Sequence, residues 1–347
     1  MEKLRAGVIG LGMGRGHVAG YQEHPNAEVV AVADLDEDRL DQVGAEFAVE
    51  NLYPSGEVML DQEDLDVVSV ATPNKFHKPL TIQAFEEGCH VLCEKPMAMN
   101  AEQGREMISA SENAGKRLMI NFSFRFNEVA QALKSQVDAG TLGDVYFART
   151  IWLRRRGMPG FGGWFGQKEL AGGGPLIDLG VHRIDLALWL MGYPQPSWVL
   201  GSTYDYLAST AAEEEGKKFD VEDLAVALIK FDNGATLEAE ASWAAHIGEN
   251  ELMETRVLGT EGGLIYQNVG EGYDFEAKVH TTEGGYQYDK TLHQTGAGVH
   301  SSMYHFVDCI VNDQPHIATG EEGLIVMELL DSIYRSAADG EPVLIGG

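Results

Sequence analysis

Asp178, His182 and Asp185 are the residues whose types and spacing most directly suggest chemistry. They lie in the segment GGGPLIDLGVHRIDLALWLMG, residues 172–192. On a helix, spacings of four and three place a carboxylate, an imidazole and a second carboxylate on one face. An imidazole so placed can accept a hydroxyl proton near neutral pH, with carboxylates beside it to orient the hydroxyl. The segment predicts its own positioning element. Gly172, Gly173 and Gly174 give a flexible entry, and Pro175 suits a first helical turn. Apolar periodicity predicts a helix over 176–191, stopped at Gly192.

A second constellation opens the chain. The apolar run 4–9 predicts a buried strand leading into Gly10-Leu11-Gly12-Met13-Gly14-Arg15-Gly16-His17. A glycine-rich turn between strand and helix lets backbone approach a pyrophosphate at a helix N-terminus. Gly10, Gly12, Met13 and Gly14 are therefore candidate cofactor contacts. Strict G-x-G-x-x-G spacing would put its third glycine at position 15, where Arg15 stands, which predicts an altered turn and offers Arg15 to phosphate. The strand at 28–33 ends at Asp34, placed to bond ribose hydroxyls and to repel a 2′-phosphate, so NAD is favoured over NADP. A strand at 66–71 runs into Thr72, Pro73 and Asn74, with His77 after them, where ligands meet doubly wound sheets. A strand at 90–93 precedes Glu94-Lys95-Pro96, and a helix at 101–114 and a strand at 117–122 follow. Strand and helix alternate throughout 1–122, the pattern of a doubly wound parallel sheet in a first domain.

Residues 123–347 form the predicted second domain. Arg125 follows the last strand of the first domain and is a candidate for reaching the cofactor. A helix is expected at 129–139 and strands at 145–153, 197–207, 222–231, 235–244, 253–258 and 263–267. Asp232-Asn233-Gly234 reads as a hairpin turn, so this sheet should be mostly antiparallel. The polar stretch 208–220 reads as a loop. Between the 145–153 strand and the Asp178 helix lies RRRGMPGFGGWF, residues 154–165. Arg154 and Arg156 could hold substrate oxygens and Trp164 could stack on a ring of the substrate, or the arginines could pair with the protein's own carboxylates. His293, His300 and His305 could also approach a site.

Composition narrows the partners. The 347 residues carry 25 Lys+Arg against 54 Asp+Glu, a net charge of −29. Such an acidic chain disfavours nucleic acid and anionic membrane. No apolar run approaches a membrane span, and an N-terminus that enters its first strand directly suggests a cytoplasmic protein. Cys89, Cys93 and Cys309 read as buried thiols, with no metal-ligand pattern.

The glycine-rich turn followed by His17, VATPNKFH at 70–77, CEKP at 93–96 and GGGPLIDLGVHRID at 172–185 together resemble the Gfo/Idh/MocA oxidoreductase family, as does the C-terminal stretch 306–343. The resemblance implies an α/β chain: an N-terminal Rossmann domain, then an α/β domain with a large, mostly antiparallel open sheet that often packs on another subunit as a homodimer or homotetramer. It implies a nicotinamide cofactor and a sugar or polyol substrate. Carried over, Lys95 matches the family lysine near the nicotinamide, with Lys95–Pro96 in a tight turn. Asp178 and His182 match the rest of the catalytic set, and Asp185 a position that helps bind substrate. The function expected is an NAD-dependent dehydrogenase acting on a secondary hydroxyl of a sugar, polyol or glycoside. Two alternatives are a redox-neutral glycoside hydrolase working through transient oxidation and a non-catalytic NAD-binding regulator.

Overall fold

A computed structural model describes residues 2–292 and 299–345. They divide into two compact units, one of residues 1–123 with 300–327 and one of 124–299 with 328–347.

The first unit alternates β1 (Leu4–Ile9), α1 (Leu11–Gln22), β2 (Ala27–Ala33), α2 (Glu37–Phe47), β3 (Asn51–Tyr53), α3 (Gly56–Gln62), β4 (Val67–Val70), α4 (His77–Glu86), β5 (His90–Cys93), α5 (Ala101–Ala114) and β6 (Leu118–Ile120). The six strands are parallel in the order β3-β2-β1-β4-β5-β6, a Rossmann sheet. β4 and β6 are buried at every position, which is why they read as apolar runs, broken in β4 only by Ser69, rather than as alternation. Asp36, Ser55 and Asn100 cap α2, α3 and α5 through their side chains.

The second unit begins with α6 (Glu128–Asp138), β7 (Val145–Arg154), the single turn α7 (Lys168–Ala171), α8 (Val181–Met191), β8 (Pro196–Tyr204) and α9 (Tyr206–Glu214). It continues with β9 (Leu224–Phe231), β10 (Thr236–Ser242), β11 (Glu251–Gly259), β12 (Gly262–Asn268), β13 (Phe275–Glu283) and β14 (Tyr286–Thr291). Next come α10 (Ser302–Val311), α11 (Gly320–Asp339) and β15 (Val343–Leu344). The nine strands run in the order β14-β13-β12-β11-β7-β10-β9-β8-β15. All neighbours are antiparallel except β7 and β10. β9 alternates buried and open positions, as a sheet covered on one face should.

Three expectations need correction. Residues 300–327 fold with the first unit, not the second. α10 lies so close to α1 that a Cβ on Gly20 would meet Met303 at 2.6 Å, and Ile120 N–H donates to Ala318 at 2.8 Å. The stretch 208–220 is not all loop, since α9 occupies its first half. The Asp223 carboxylate accepts from Leu207 and Ala208 N–H (2.7 and 2.8 Å) at the start of α9, and Ala208 and Ala212 are buried one turn apart. The helix predicted over 176–191 is two elements, a π-helical turn Leu176–Gly180 followed by α8.

Candidate active site

In the first unit the candidate residues gather at the carboxyl ends of the parallel strands. Gly10 has φ +86°, and a Cβ there would meet the Ala71 carbonyl at 2.6 Å. Gly14 faces Val8 at a would-be 2.8 Å, so it supplies the close helix–strand packing that strict spacing assigns to position 15. Position 15 is thereby released, and Arg15 is bound to Glu46 across the surface (2.8 Å) rather than offered to phosphate. Gly12 has open space around it and Met13 is exposed. The buried Asp34 carboxylate accepts from Leu11 N–H (2.6 Å) and Asp36 N–H (2.9 Å), with the Arg39 guanidinium at 3.2 Å.

Glu94 stands at the centre of a buried network. It accepts from His17 Nε2 (2.9 Å), Asn121 Nδ2 (2.6 Å) and Lys95 N–H (3.1 Å). His17 Nδ1 meets Ser69 Oγ at 3.0 Å, Ser69 meets the Tyr21 hydroxyl, and Ser302 donates to Asn121. Burial would raise the Glu94 pKa, but His17, Asn121 and Lys95 outweigh it and hold the carboxyl below its ordinary value. Half-buried Lys95 follows, and the Lys95–Pro96 bond is cis. His77, expected among the cofactor contacts, is fully buried, its ring spanning the carbonyls of Pro96 (2.7 Å) and Thr72 (2.8 Å). It braces the two loops rather than facing a ligand. Pro73 is half-buried and Asn74 is buried at the start of a short 3₁₀ turn. These features fit a dinucleotide. A glycine turn leads into a helix start, backbone is open at Gly12, and the Thr72 hydroxyl is buried with no hydrogen-bond partner among the described residues.

In the second unit the π-helical turn is held from below by Glu222. Its carboxylate accepts from Gly174 N–H (2.9 Å), Leu176 N–H (3.0 Å) and the Tyr334 hydroxyl (2.9 Å). Burial raises the Glu222 pKa against those hydrogen bonds. The glycines before the turn serve close packing, not flexibility. A Cβ on Gly173 would meet Tyr334 Oη at 2.0 Å, and one on Gly174 the Glu222 carbonyl at 2.1 Å. Above this support Asp178 accepts from Trp243 Nε1 (3.0 Å) and stays half-buried, as does His182. The His182 ring rests edge-on against Phe124 (centroids 5.2 Å) and beside Trp152 (5.8 Å).

The structure engages five other candidates with the protein's own residues. Asp185 is 1 % exposed and Arg125 fully buried, and they bind each other (Arg125 Nε to Asp185 Oδ2, 3.0 Å) with the Tyr193 hydroxyl on the same carboxylate. α8 is buried on nearly all sides, so Asp185 shares no open face with Asp178 and His182. Arg154 pairs with Glu251 (2.8 Å) and lies over Trp152. Arg156 is exposed and leans on backbone carbonyls and His246. Trp164 stacks on Phe165 (3.8 Å), which meets Trp243 edge-on (6.4 Å). His300 stacks on Tyr304 and His305 lies against Cys309, both in the first unit, while His293 lies outside the described residues. Glu222, Trp243 and Asn121 were not picked out as site residues. Their partners lie from 27 to 181 residues away, beyond the reach of any periodicity or motif.

Residues 4–122 match the family model described as the Gfo/Idh/MocA oxidoreductase family, NAD-binding Rossmann fold, and residues 134–345 match its C-terminal alpha/beta domain. The chain is 34% identical to D-glucoside 3-dehydrogenase of Escherichia coli K12 over 98% of this chain and 97% of that one. It is 30% identical to levoglucosan dehydrogenase of Pseudarthrobacter phenanthrenivorans over 77% and 74%. A solved levoglucosan dehydrogenase, in complex with NADH and levoglucosan, superposes over the whole of both chains with a TM-score of 0.88 at 24% identity, which shows the shared fold. The chain belongs to the Gfo/Idh/MocA oxidoreductase family, and its first unit is the NAD-binding one. Among the described residues no helix is long and apolar enough to cross a membrane.

Proposed function

We propose that this member of the Gfo/Idh/MocA family is an NAD-dependent dehydrogenase that oxidises a secondary hydroxyl of a glycoside or related sugar, with His182 as proton acceptor, Lys95 as electrostatic partner and Asp178 as orienter of the hydroxyl. The observation that carries this reading is in the second unit. Asp178, fixed by Trp243, and His182 remain half-buried where most of the following helix is enclosed. NAD, when bound, supplies the hydride acceptor. The chain's own residues do the rest. A neutral His182 takes the hydroxyl proton at neutral pH. The Lys95 ammonium stabilises negative charge developing on that oxygen. The Asp178 carboxylate, held by the indole N–H, accepts from a substrate hydroxyl and sets its direction. On this reading Glu94 acts on the cofactor side through the Lys95 backbone, and the Asp34 carboxylate takes the ribose hydroxyls.

The relatives described above are named as dehydrogenases of a glucoside and of an anhydrosugar, which supports a glycoside-like substrate and favours net oxidation over redox-neutral hydrolysis. The test is NADH absorbance with alkyl glucosides, levoglucosan, free aldoses and inositols, with free sugar release followed in parallel. NADH formation with a glucoside and a loss of at least about a hundredfold in Lys95→Ala and His182→Ala are expected. Sugar release without NADH would replace oxidation by hydrolysis. Near-normal turnover in either variant would remove that residue from the mechanism.

A further inference from the structure

Arg183 stands between His182 and Ile184 on α8 and is 1 % exposed. Its guanidinium carbon lies 4.7 Å from the ring centroid of Phe124, 5.2 Å from Trp152, 5.5 Å from Phe275 and 5.8 Å from Tyr266. None of its three guanidinium nitrogens has a hydrogen-bond acceptor among the described residues, and neither does the Tyr266 hydroxyl inside the same cage. In a chain with 54 acidic residues this is an anomaly, because a carboxylate partner would be easy to supply. Arg125, equally buried in the same unit, has one in Asp185. Burying an unpaired charge is costly, and ring faces return only part of that cost. An energetic burden of this kind, carried next to a candidate proton acceptor, asks for a function.

Two of the four caging rings also wall in His182, namely Phe124 and Trp152. Other charged groups on the elements around α8 do not cancel Arg183. Glu251 on β11 favours the Arg183 cation through space but makes its own contacts to Arg154 and to Trp152 Nε1 (2.8 and 2.7 Å). β10 turns Leu237, Ala239 and Ala241 inward, and the Lys134 ammonium on α6 lies over Trp189. Asp185 is neutralised by Arg125. On the π-helical turn only Asp178 opposes the cation, and Trp243 already engages it. Burial lowers the Arg183 pKa to about 10, which leaves it charged at neutral pH.

We propose that Arg183 is a positioning residue whose caged, unneutralised charge holds the His182 imidazole in its neutral form, while its stack fixes the Phe124 and Trp152 rings against which that imidazole rests. The inference rests on the reading of His182 as proton acceptor. A nearby like charge disfavours the imidazolium and lowers the histidine pKa.

The test is an NMR titration of the full chain with isotope-labelled histidine rings, the His182 signal being assigned by its loss in His182→Asn. In the wild type His182 should titrate about one unit below the ordinary value of about 6.5, and Arg183→Met should raise it by about one unit. Arg183→Lys, which keeps the charge, should leave it within about 0.3 of a unit of the wild type. A wild-type His182 that titrates at or above the ordinary value overturns the proposal without recourse to any variant. An unmoved His182 in a folded Arg183→Met overturns it too, and reduces the cage to a packing element. Failure of the parent reading shows elsewhere, as near-normal turnover in His182→Ala, and does not alter the titration.

Discussion

Among the described residues each unit holds one glutamate that is more than nine-tenths buried and accepts three hydrogen bonds, yet the two pKa values are shifted in opposite directions. Glu94 accepts from His17, Asn121 and the Lys95 backbone, and its pKa falls. Glu222 accepts from two backbone N–H groups and the Tyr334 hydroxyl, and its pKa rises. The donor count is the same, so hydrogen-bond number does not decide the sign. What differs is cationic character among the neighbours, since His17 and Lys95 favour a carboxylate at Glu94 and no such group acts on Glu222. The first arrangement holds a charge beside Lys95. The second holds a scaffold under the Asp178 turn without fixing a charge there.

The largest expected effect breaks the pair around Glu94. Glu94→Leu leaves His17 and Asn121 facing an apolar group and should destabilise the protein by about 4 kcal/mol in urea unfolding. A loss under about 1 kcal/mol would show that the network carries no charge worth holding. The next effect compares isosteric changes. Glu94→Gln should cost about 2 kcal/mol, as loss of hydrogen bonds to a charged group, whereas Glu222→Gln should cost about 1 kcal/mol or less. Equal losses would erase the distinction between the two sites.

The pH dependence follows with opposite signs. Glu94 has a folded pKa below 4.5, so its stabilisation is present above pH 4.5 and is lost as pH falls through the folded value. Glu222 has a folded pKa above 4.5, so its contribution is complete below pH 4.5 and is lost as pH rises through the folded value. Relative to the parent, Glu222→Gln should therefore gain stability as pH rises above 4.5, and the deficit of Glu94→Gln should shrink as pH falls below it, both read from urea midpoints. Matching slopes in the two variants would contradict this. The smallest effect is Tyr334→Phe, which removes one donor from Glu222 and should cost about 0.5–1 kcal/mol. It should also raise the Glu222 pKa further, visible as a loss of that contribution that runs on to higher pH.

Legibility from sequence differed by region for physical reasons. The first unit's strands were readable because parallel strands buried on both faces leave mostly apolar runs, as at Val67–Val70, interrupted by Ser69, and Leu118–Ile120. The helix through His182 was readable from its periodicity, but its first turn was not, because the π-helical geometry at Leu176–Gly180 is imposed by Glu222 from some 46 residues away. Arg15 shows the same limit: spacing left its partner open, and packing of Gly14 on Val8 turned it toward Glu46. Arg154 was legible only as a choice between substrate and some carboxylate of the protein, because which carboxylate lies across the neighbouring strand depends on register.

Local sequence settles the alternation of the nucleotide unit, the glycine turn with Asp34 at the end of β2, and the placement of Asp178 and His182 one turn apart. These are local properties, written in spacing and in the burial each strand or helix face requires. Tertiary structure alone decided which charged groups were spent on the protein itself. It paired Arg125 with Asp185, sent Arg154 to Glu251, tied Glu94 to His17, and left Arg183 to four aromatic rings. A charged side chain's partner is fixed by three-dimensional neighbours far apart in the chain, and burial multiplies the energy of that choice.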